Sequence, residues 1–344
     1  MEYIFNDVLE IKNGKNQKAV ENPDGMYPIY GSGGIMGHAD DYICDAHTVI
    51  IGRKGSINNP IYVSEPFWNV DTAFGLFANK ELLLPRYLFY FCKKFDFEKL
   101  NKTVTIPSLT KSDLLKIKID LPTITEQKEV VDKLLKIEAV IGLRNKELLA
   151  LDNLIKARFV EMFGDPVINP MLWEKKRFDE ICENLDSRRK PISSGNRVGG
   201  MYPYYGASGI VDYVEDYIFD EDILLVSEDG ANLLMRSTPI AFSVSGKVWV
   251  NNHAHVVRFK EGSLQKYVEI YFSLIDISDN ITGSAQPKLN QAKLNAMMIP
   301  IPNSSLIEQY CKFLNHIDKS KVEVQKALDE TQQLFDSLMQ QYFG

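Results

Sequence analysis

The stretch YPIYGSGGIMGHADDYICD at residues 27–45 returns as YPYYGASGIVDYVEDYIFD at residues 202–220, with no gap needed to align the two. A repeat of that length constrains the fold more than any composition figure, because whatever one copy builds the other must build too. The echo extends in both directions. FNDVL at Phe5 answers FDEIC at Phe178, and TIPSLTKSDLLKIKIDLPTITEQ (105–127) answers AQPKLNQAKLNAMMIPIPNSSLIEQ (285–309). Pro107 pairs with Pro287, Leu109 with Leu289 and Pro122 with Pro302. Two copies with a period of roughly 175–180 residues account for nearly all of the 344-residue chain, which is the spacing of a duplicated domain rather than of a solenoid unit.

Each copy changes character once. Its first part is rich in Gly, Pro and Asn around short β-branched or aromatic runs such as HTVIIG, PIYV, DILLV and AHVVRF, which read as strands bounded by turns. One helical run interrupts them, LPRYLFYFCKKFDFEKL in the first copy and LQKYVEIYFSLI in the second. The second part is helical throughout. From Thr123 to Val160 there is no proline and a single glycine, Gly142. Apolar residues recur at Val130, Leu134, Ile137, Ile141, Leu148, Leu151 and Ile155, the spacing of a heptad seam. Tyr310, Leu314, Ile317, Leu328 and Phe335 keep that register in the second copy, with polar Lys321 and Thr331 as interruptions. Each helix begins after a proline-bearing turn and ends at a glycine, Gly164 or Gly344.

These patterns predict an α+β fold: a mixed α/β domain over 1–122, a helix over 123–165, a second similar domain over 166–302 and a closing helix over 303–344. A helix of about 36 residues spans about 54 Å. If the second packs on the first through the matching seam, it must run back. The expectation is a long antiparallel two-helix coiled coil separating two domains related by a pseudo-twofold axis. Such a spacer suits a ligand with two sites at a fixed separation, and duplex DNA, whose half-sites recur at whole helical turns, is the obvious one.

Several function classes lose support. No apolar run approaches the roughly 18–20 residues needed to cross a bilayer, and the opening MEYIFNDVLEIKNGK lacks the regions of a signal peptide. Cys44, Cys92, Cys182 and Cys311 are scattered, without metal-ligand spacing, which suits free thiols in a reducing cytoplasm. GSGGIMG does not complete a GxGxxG cradle. NNHAH places His253 and His255 on one side of a strand with no third ligand nearby, so no metal is expected. There is no Walker loop, methyltransferase motif or nucleophile elbow. A net charge of −7 argues mildly against nucleic acid, but it leaves the distribution of charge open.

Taken in order, the YPIYGSGG and YPYYGASG blocks, IIGRKGSI, the IPSLT and QPKLN segments, the helix entries IDLP…TEQ and IPIP…IEQ, and MFGDP resemble the specificity subunit of type I restriction–modification systems. The resemblance covers the whole chain. It implies a subunit without catalytic activity, whose two target-recognition domains each read one half of a split sequence in double-stranded DNA. The helices would set the gap and dock two methyltransferase subunits. Those partners would carry S-adenosylmethionine, with no cofactor bound by this chain, and restriction/translocase subunits would complete a cytoplasmic complex. A subunit serving a fused restriction–methylation enzyme and a coiled-coil scaffold joining two proteins are the alternatives.

Laying one copy on the other sets IIGRKG (50–55) on LVSEDG (225–230), so Arg53 and Lys54 stand where the second copy has Glu228 and Asp229. Arginine can bind guanine through two hydrogen bonds and an acid can accept from cytosine N4, so reversed charge suits readers of different half-sites. Lys102, Thr103 and Ser108 in one copy, and Ser284, Gln286 and Lys288 in the other, surround a proline with groups suited to phosphate and base edges. Arg188, Arg189, Lys190 and Arg197 read as a phosphate-binding loop, with Lys15 and Lys18 in the corresponding place of the first copy.

Overall fold

The computed structural model describes residues 1–103, 105–283 and 285–344. They fall into two compact units, Met1–Asn145 with Gln325–Gly344, and Lys146–Val324. Each unit therefore contains one repeated domain and a stretch of both long helices, Ile124–Phe163 and Ser304–Phe343.

Local chemistry sets the helix limits. The Glu126 N–H donates to Thr123 Oγ1 at 3.3 Å while the Thr123 N–H donates to Glu126 Oε2 at 2.8 Å, a reciprocal cap that satisfies two otherwise orphaned donors. Asn303 caps the other helix, accepting from the Leu306 N–H at 2.9 Å. The first helix stops at Gly164, which takes φ +80° and donates its N–H to the Val160 carbonyl. With 40 residues each, the helices are about 60 Å long.

In the first unit a four-stranded antiparallel sheet has the order Leu9–Asn13, Ala73–Ala78, Thr48–Gly52, Ile61–Val63. A second sheet pairs Tyr27–Gly31 antiparallel with Gly34–Ala39 and parallel with Trp68–Asn69. Helix Pro85–Lys94 buries Tyr87, Leu88 and Tyr90 in a core shared with Val49, Ile51, Leu76, Val130, Leu134, Phe335 and Met339. The long helices thus dock on the domain's own helix. Buried Gln127 fixes the join: its Oε1 accepts from the Leu84 N–H at 2.9 Å and its Nε2 donates to the Leu82 carbonyl at 2.8 Å. Without these bonds the first turn of Pro85–Lys94 would leave a donor unsatisfied.

The second unit follows the same plan. Its first sheet runs Glu183–Asn184, Ala254–Arg258, Ile223–Ser227, Ala241–Val244. In its other sheet Gly199–Gly206 lies antiparallel to Gly209–Val214 and parallel to Lys247–Val250. The register shift between Ile29 and Tyr30 recurs between Tyr204 and Tyr205, and the parallel pair Ile29–Trp68 recurs as Tyr204–Trp249. The duplication visible in the letters is a duplication of pairing register.

Here Ile155, Phe159 and Phe163 of the first helix and Ile307, Tyr310 and Leu314 of the second share a core with Tyr267 and Tyr271. The Tyr310 hydroxyl donates to the Ile155 carbonyl at 2.9 Å, and Lys321 Nζ reaches Asp152 at 2.6 Å. Numbers fall along one helix as they rise along the other, so the two are antiparallel. Of the seam residues, Val130, Leu134, Ile155, Tyr310, Leu314, Ile317 and Phe335 are buried, whereas Ile137, Ile141, Leu148, Leu151 and Leu328 are half-buried. Val324, which the apolar series passed over, is buried as well. Each buried apolar side chain contributes about 1.5–3 kcal/mol. The two polar interruptions are accommodated differently: Lys321 by its ion pair, and Thr331 by donating to its own helix at the Ala327 carbonyl, 2.6 Å away.

Candidate nucleic-acid interface

Strand Thr48–Gly52 is buried along its length and then emerges at Arg53 and Lys54, both exposed. The backbone there is held from two sides. Arg53 donates its N–H to the Thr72 carbonyl at 2.8 Å, Gly55 donates to Pro107 at 3.0 Å, and Leu109 donates back to Arg53 at 2.9 Å. Gly55 has φ +81°, a conformation a side chain would strain. Buried Leu109 anchors the far side. Asn101 closes the neighbouring loop, its Oδ1 accepting from the Thr103 N–H at 3.1 Å and the Ser108 N–H at 3.2 Å. The structure therefore brings Arg53, Lys54, Lys102, Thr103 and Ser108 to one surface. Lys102 pairs with Asp113 at 2.8 Å. Arg53 lies over the Phe74 ring, 5.9 Å from its centre, and neither Arg53 nor Lys54 pairs with a carboxylate among the described residues.

The second domain repeats these three backbone bonds. Glu228 donates to the His253 carbonyl at 2.9 Å, Gly230 to Pro287 at 3.0 Å, and Leu289 to Glu228 at 2.8 Å. Thr282 and Lys288 exchange N–H bonds to each other's carbonyls, both 2.8 Å. Gln286 is exposed on this loop, and Ser284 lies outside the described residues. The same scaffolding under changed side chains is what a pair of readers for unlike sequences requires.

Two of the expected contact side chains are engaged within the domain. Glu228 and Arg189, expected as base and phosphate contacts, face each other at 2.6 Å with side-chain exposures of only 12% and 13%. Arg189 also donates to the Ala254 carbonyl at 2.6 Å, and the other oxygen of Glu228 lies 3.0 Å from Lys288 Nζ. Burial alone would raise the Glu228 carboxyl, yet hydrogen bonds from Arg189 and Lys288 outweigh it and hold the group below its ordinary range. A carboxylate so occupied would give up these partners to read a base. Beneath it, buried His255 lies between Asp186 Oδ2 at 2.6 Å and the Leu289 carbonyl at 2.8 Å. Asp186, Glu228 and His255 bring ligand-type atoms within 4.8 Å of one another, but Arg189 and Lys288 already supply the positive charge a metal would bring.

The rest of the expected basic loop is also partly engaged. Arg188 binds Glu221 at 2.6 Å and lies over the Phe219 ring, and Arg197 binds Asp212 at 3.1 Å and lies over Tyr204. Lys190 is exposed, and its carbonyl accepts from Trp249 Nε1 at 2.6 Å. In the first domain Trp68 Nε1 donates to the carbonyl of Lys15 at 3.0 Å, so Lys15 and Lys190 are equivalent exposed cations. Lys18 is exposed three residues further on. The tryptophans were legible as a repeated letter, FWN against VWV, but carried no hint of this tie. No local pattern singles out Asn101 or Asp186, and His253 stands out in the sequence only as a metal-ligand type. Asp229 directs both oxygens to His253 Nδ1, at 2.9 and 3.0 Å.

Among the described residues no helix is long and apolar enough to cross a membrane. Comparison with known proteins agrees with the duplicated plan. The family described as type I restriction modification DNA specificity domain matches residues 2–153 and 170–332. A Haemophilus influenzae protein described as a putative type I restriction enzyme specificity subunit is 38% identical over 142 residues, which cover 41% of this chain and 36% of that protein. The MjaVIII specificity subunit of Methanocaldococcus jannaschii is 23% identical over 325 residues, covering 82% of this chain and 74% of the relative. Among solved structures, the type I restriction–modification S subunit from M. genitalium superposes with a TM-score of 0.63 at 16% identity, over 100% of this chain and 96% of that one. A chain from a type I R-M system studied for complex assembly and conformational transition gives 0.59 at 15% identity, over 100% and 97%.

Proposed function

We propose, for a chain that belongs to the type I restriction–modification DNA specificity family, that it reads a split DNA sequence without catalysing any step itself. Each recognition domain contacts one half of the site, and the paired helices determine how many base pairs pass unread between them. The helices also dock two methyltransferase subunits, which carry S-adenosylmethionine, and restriction/translocase subunits join that core in the cytoplasm. Arg53 and Lys54 contact the first half-site, where uncompensated cations favour phosphate or guanine. Exposed Lys15, Lys18 and Lys190 add backbone attraction. The net charge of −7 is tolerable because the cations on the reading surface are local and partner subunits add their own grip.

One observation carries this reading: the same three backbone hydrogen bonds join tip and proline loop in both domains, while the tip residues differ completely. A scaffold for two protein partners gives no reason to keep the mount and exchange the contact. Methylome sequencing of a host with and without the gene tests it. A motif of two short specified parts around an unspecified spacer is expected to vanish on deletion. A purified complex should bind that motif more weakly as salt rises. An unchanged methylome, or affinity indifferent to salt, would refute the reading.

A further inference from the structure

Thr72 and His253 hold equivalent places in the two domains, since each carbonyl accepts the N–H of the tip residue, Arg53 at 2.8 Å or Glu228 at 2.9 Å. The side chains at these paired positions are exchanged in reach. In the first domain the long group, Arg53, stands on the tip, and the facing residue is a short threonine. In the second domain the tip glutamate turns inward to Arg189 and Lys288, and the long exposed group stands opposite, as His253.

His253 is also aimed. A carboxylate can only accept, so Nδ1 carries the hydrogen shared with the two oxygens of Asp229 at 2.9 and 3.0 Å. Nε2 is left without a partner among the described residues, on a side chain that is 49% exposed. Asp229 itself is only 15% exposed, and the His253 N–H donates to Asn251 Oδ1 at 2.8 Å, so both the ring and the backbone beneath it are fixed. In its neutral form an imidazole with Nδ1–H held this way presents Nε2 as one outward acceptor.

We infer that His253 is a specificity-determining residue of the second recognition domain, the functional counterpart of Arg53 in the first. Its Nε2 accepts a hydrogen bond from the exocyclic amino group of a base, adenine N6 or cytosine N4, in the major groove. Asp229 is the positioning residue that holds the ring in the accepting tautomer. The inference rests on the reading that each domain contacts half of a split DNA site.

The test uses the intact complex in its host. Wild type should methylate a split motif. His253→Ala should relax one base position in one half, with discrimination falling by about fivefold or more, the scale of a single base contact. The other half should stay as it was. Asp229→Ala should relax the same position, and Asp229→Asn, which keeps an oxygen for Nδ1, should restore it; a merely structural aspartate would not show that rescue at a single base. In vitro, removing the amino group from that base, as purine for adenine or 2-pyrimidinone for cytosine, should weaken wild type and leave His253→Ala unaffected. Should His253→Ala fail to assemble, His253→Phe, which keeps the ring and removes the acceptor, serves with Asp229→Ala. A wild-type motif that His253→Ala and Asp229→Ala leave unchanged, or relax equally in both halves, overturns this inference alone. A wild-type host with no split motif overturns the reading beneath it.

Discussion

Glu228 holds Arg189 at 2.6 Å in a part of the second recognition domain where both side chains are nearly covered. Removing one member of such a pair leaves the other charge covered with only its lesser partners, Lys288 for Glu228 or Asp186 for Arg189, which costs up to about 3–5 kcal/mol. Glu228→Ala and Arg189→Ala should each destabilise the chain on that scale in chemical denaturation. The double variant should lose clearly less than the two losses combined. Additive losses would mean that the pair is not coupled.

Acid should act on this network before it acts on the first domain. Burial by itself would raise the Asp186 and Glu228 carboxyls, but hydrogen bonds from His255 to Asp186, and from Arg189 and Lys288 to Glu228, outweigh it and hold both low. Groups depressed on folding contribute stability above their unfolded values of about 3.9 and 4.3, and lose it as pH falls through the folded ones. The first domain has Phe74 in the register of His255 and Arg53 in the place of Glu228, so its matching positions form no such network. Hydrogen exchange followed from pH 7 to pH 3 should therefore show protection of Ile223–Ser227 and Ala254–Arg258 declining below about pH 4, ahead of Thr48–Gly52 and Ala73–Ala78. Equal decline in both domains would contradict the assignment.

Along the spacer, cost should track burial rather than heptad position. Leu134 is fully buried and its change to alanine should cost about 2–5 kcal/mol, whereas half-buried Leu328 should cost well under that. Tyr310→Phe removes one hydrogen bond to a helix carbonyl and should cost about 1 kcal/mol. Urea denaturation separates these. Equal losses at Leu134 and Leu328 would mean that the seam is packed uniformly.

Exposed and covered arginines should behave in opposite ways. Arg53→Ala with Lys54→Ala should leave the melting temperature nearly unchanged and weaken DNA binding by the assembled complex. The salt slope of binding should fall by about one for each phosphate that is no longer neutralised. Arg189→Ala should lower the melting temperature first. Calorimetry and a salt titration on the same variants decide between the two roles. If Arg53→Ala melted early and Arg189→Ala bound weakly at full stability, the assignments would be reversed.

Much of this protein was already decided by its letters. The duplication, the α+β character and the two long helices all follow from local patterns, whereas the meeting of tip and proline loop does not. Turn residues, heptad spacing and capping pairs act over a few positions, so they are legible wherever they are written. The exposed tip at Arg53 and Lys54 was legible for the same reason, since a strand running into a glycine turn is a local pattern.

What tertiary structure alone decided is the fate of the charges in the second domain. Arg189 and Glu228 are 39 residues apart, and Asp186 and His255 are 69 apart. Nothing local says that they meet, so one arginine of a basic run read as a surface loop became part of a covered ion network. The same holds for His253, which looks idle in NNHAH until strand pairing places it across from Asp229. Whether a charge faces solvent or a counter-charge depends on which distant strand ends beside it, and strand pairing is a property of the whole sheet.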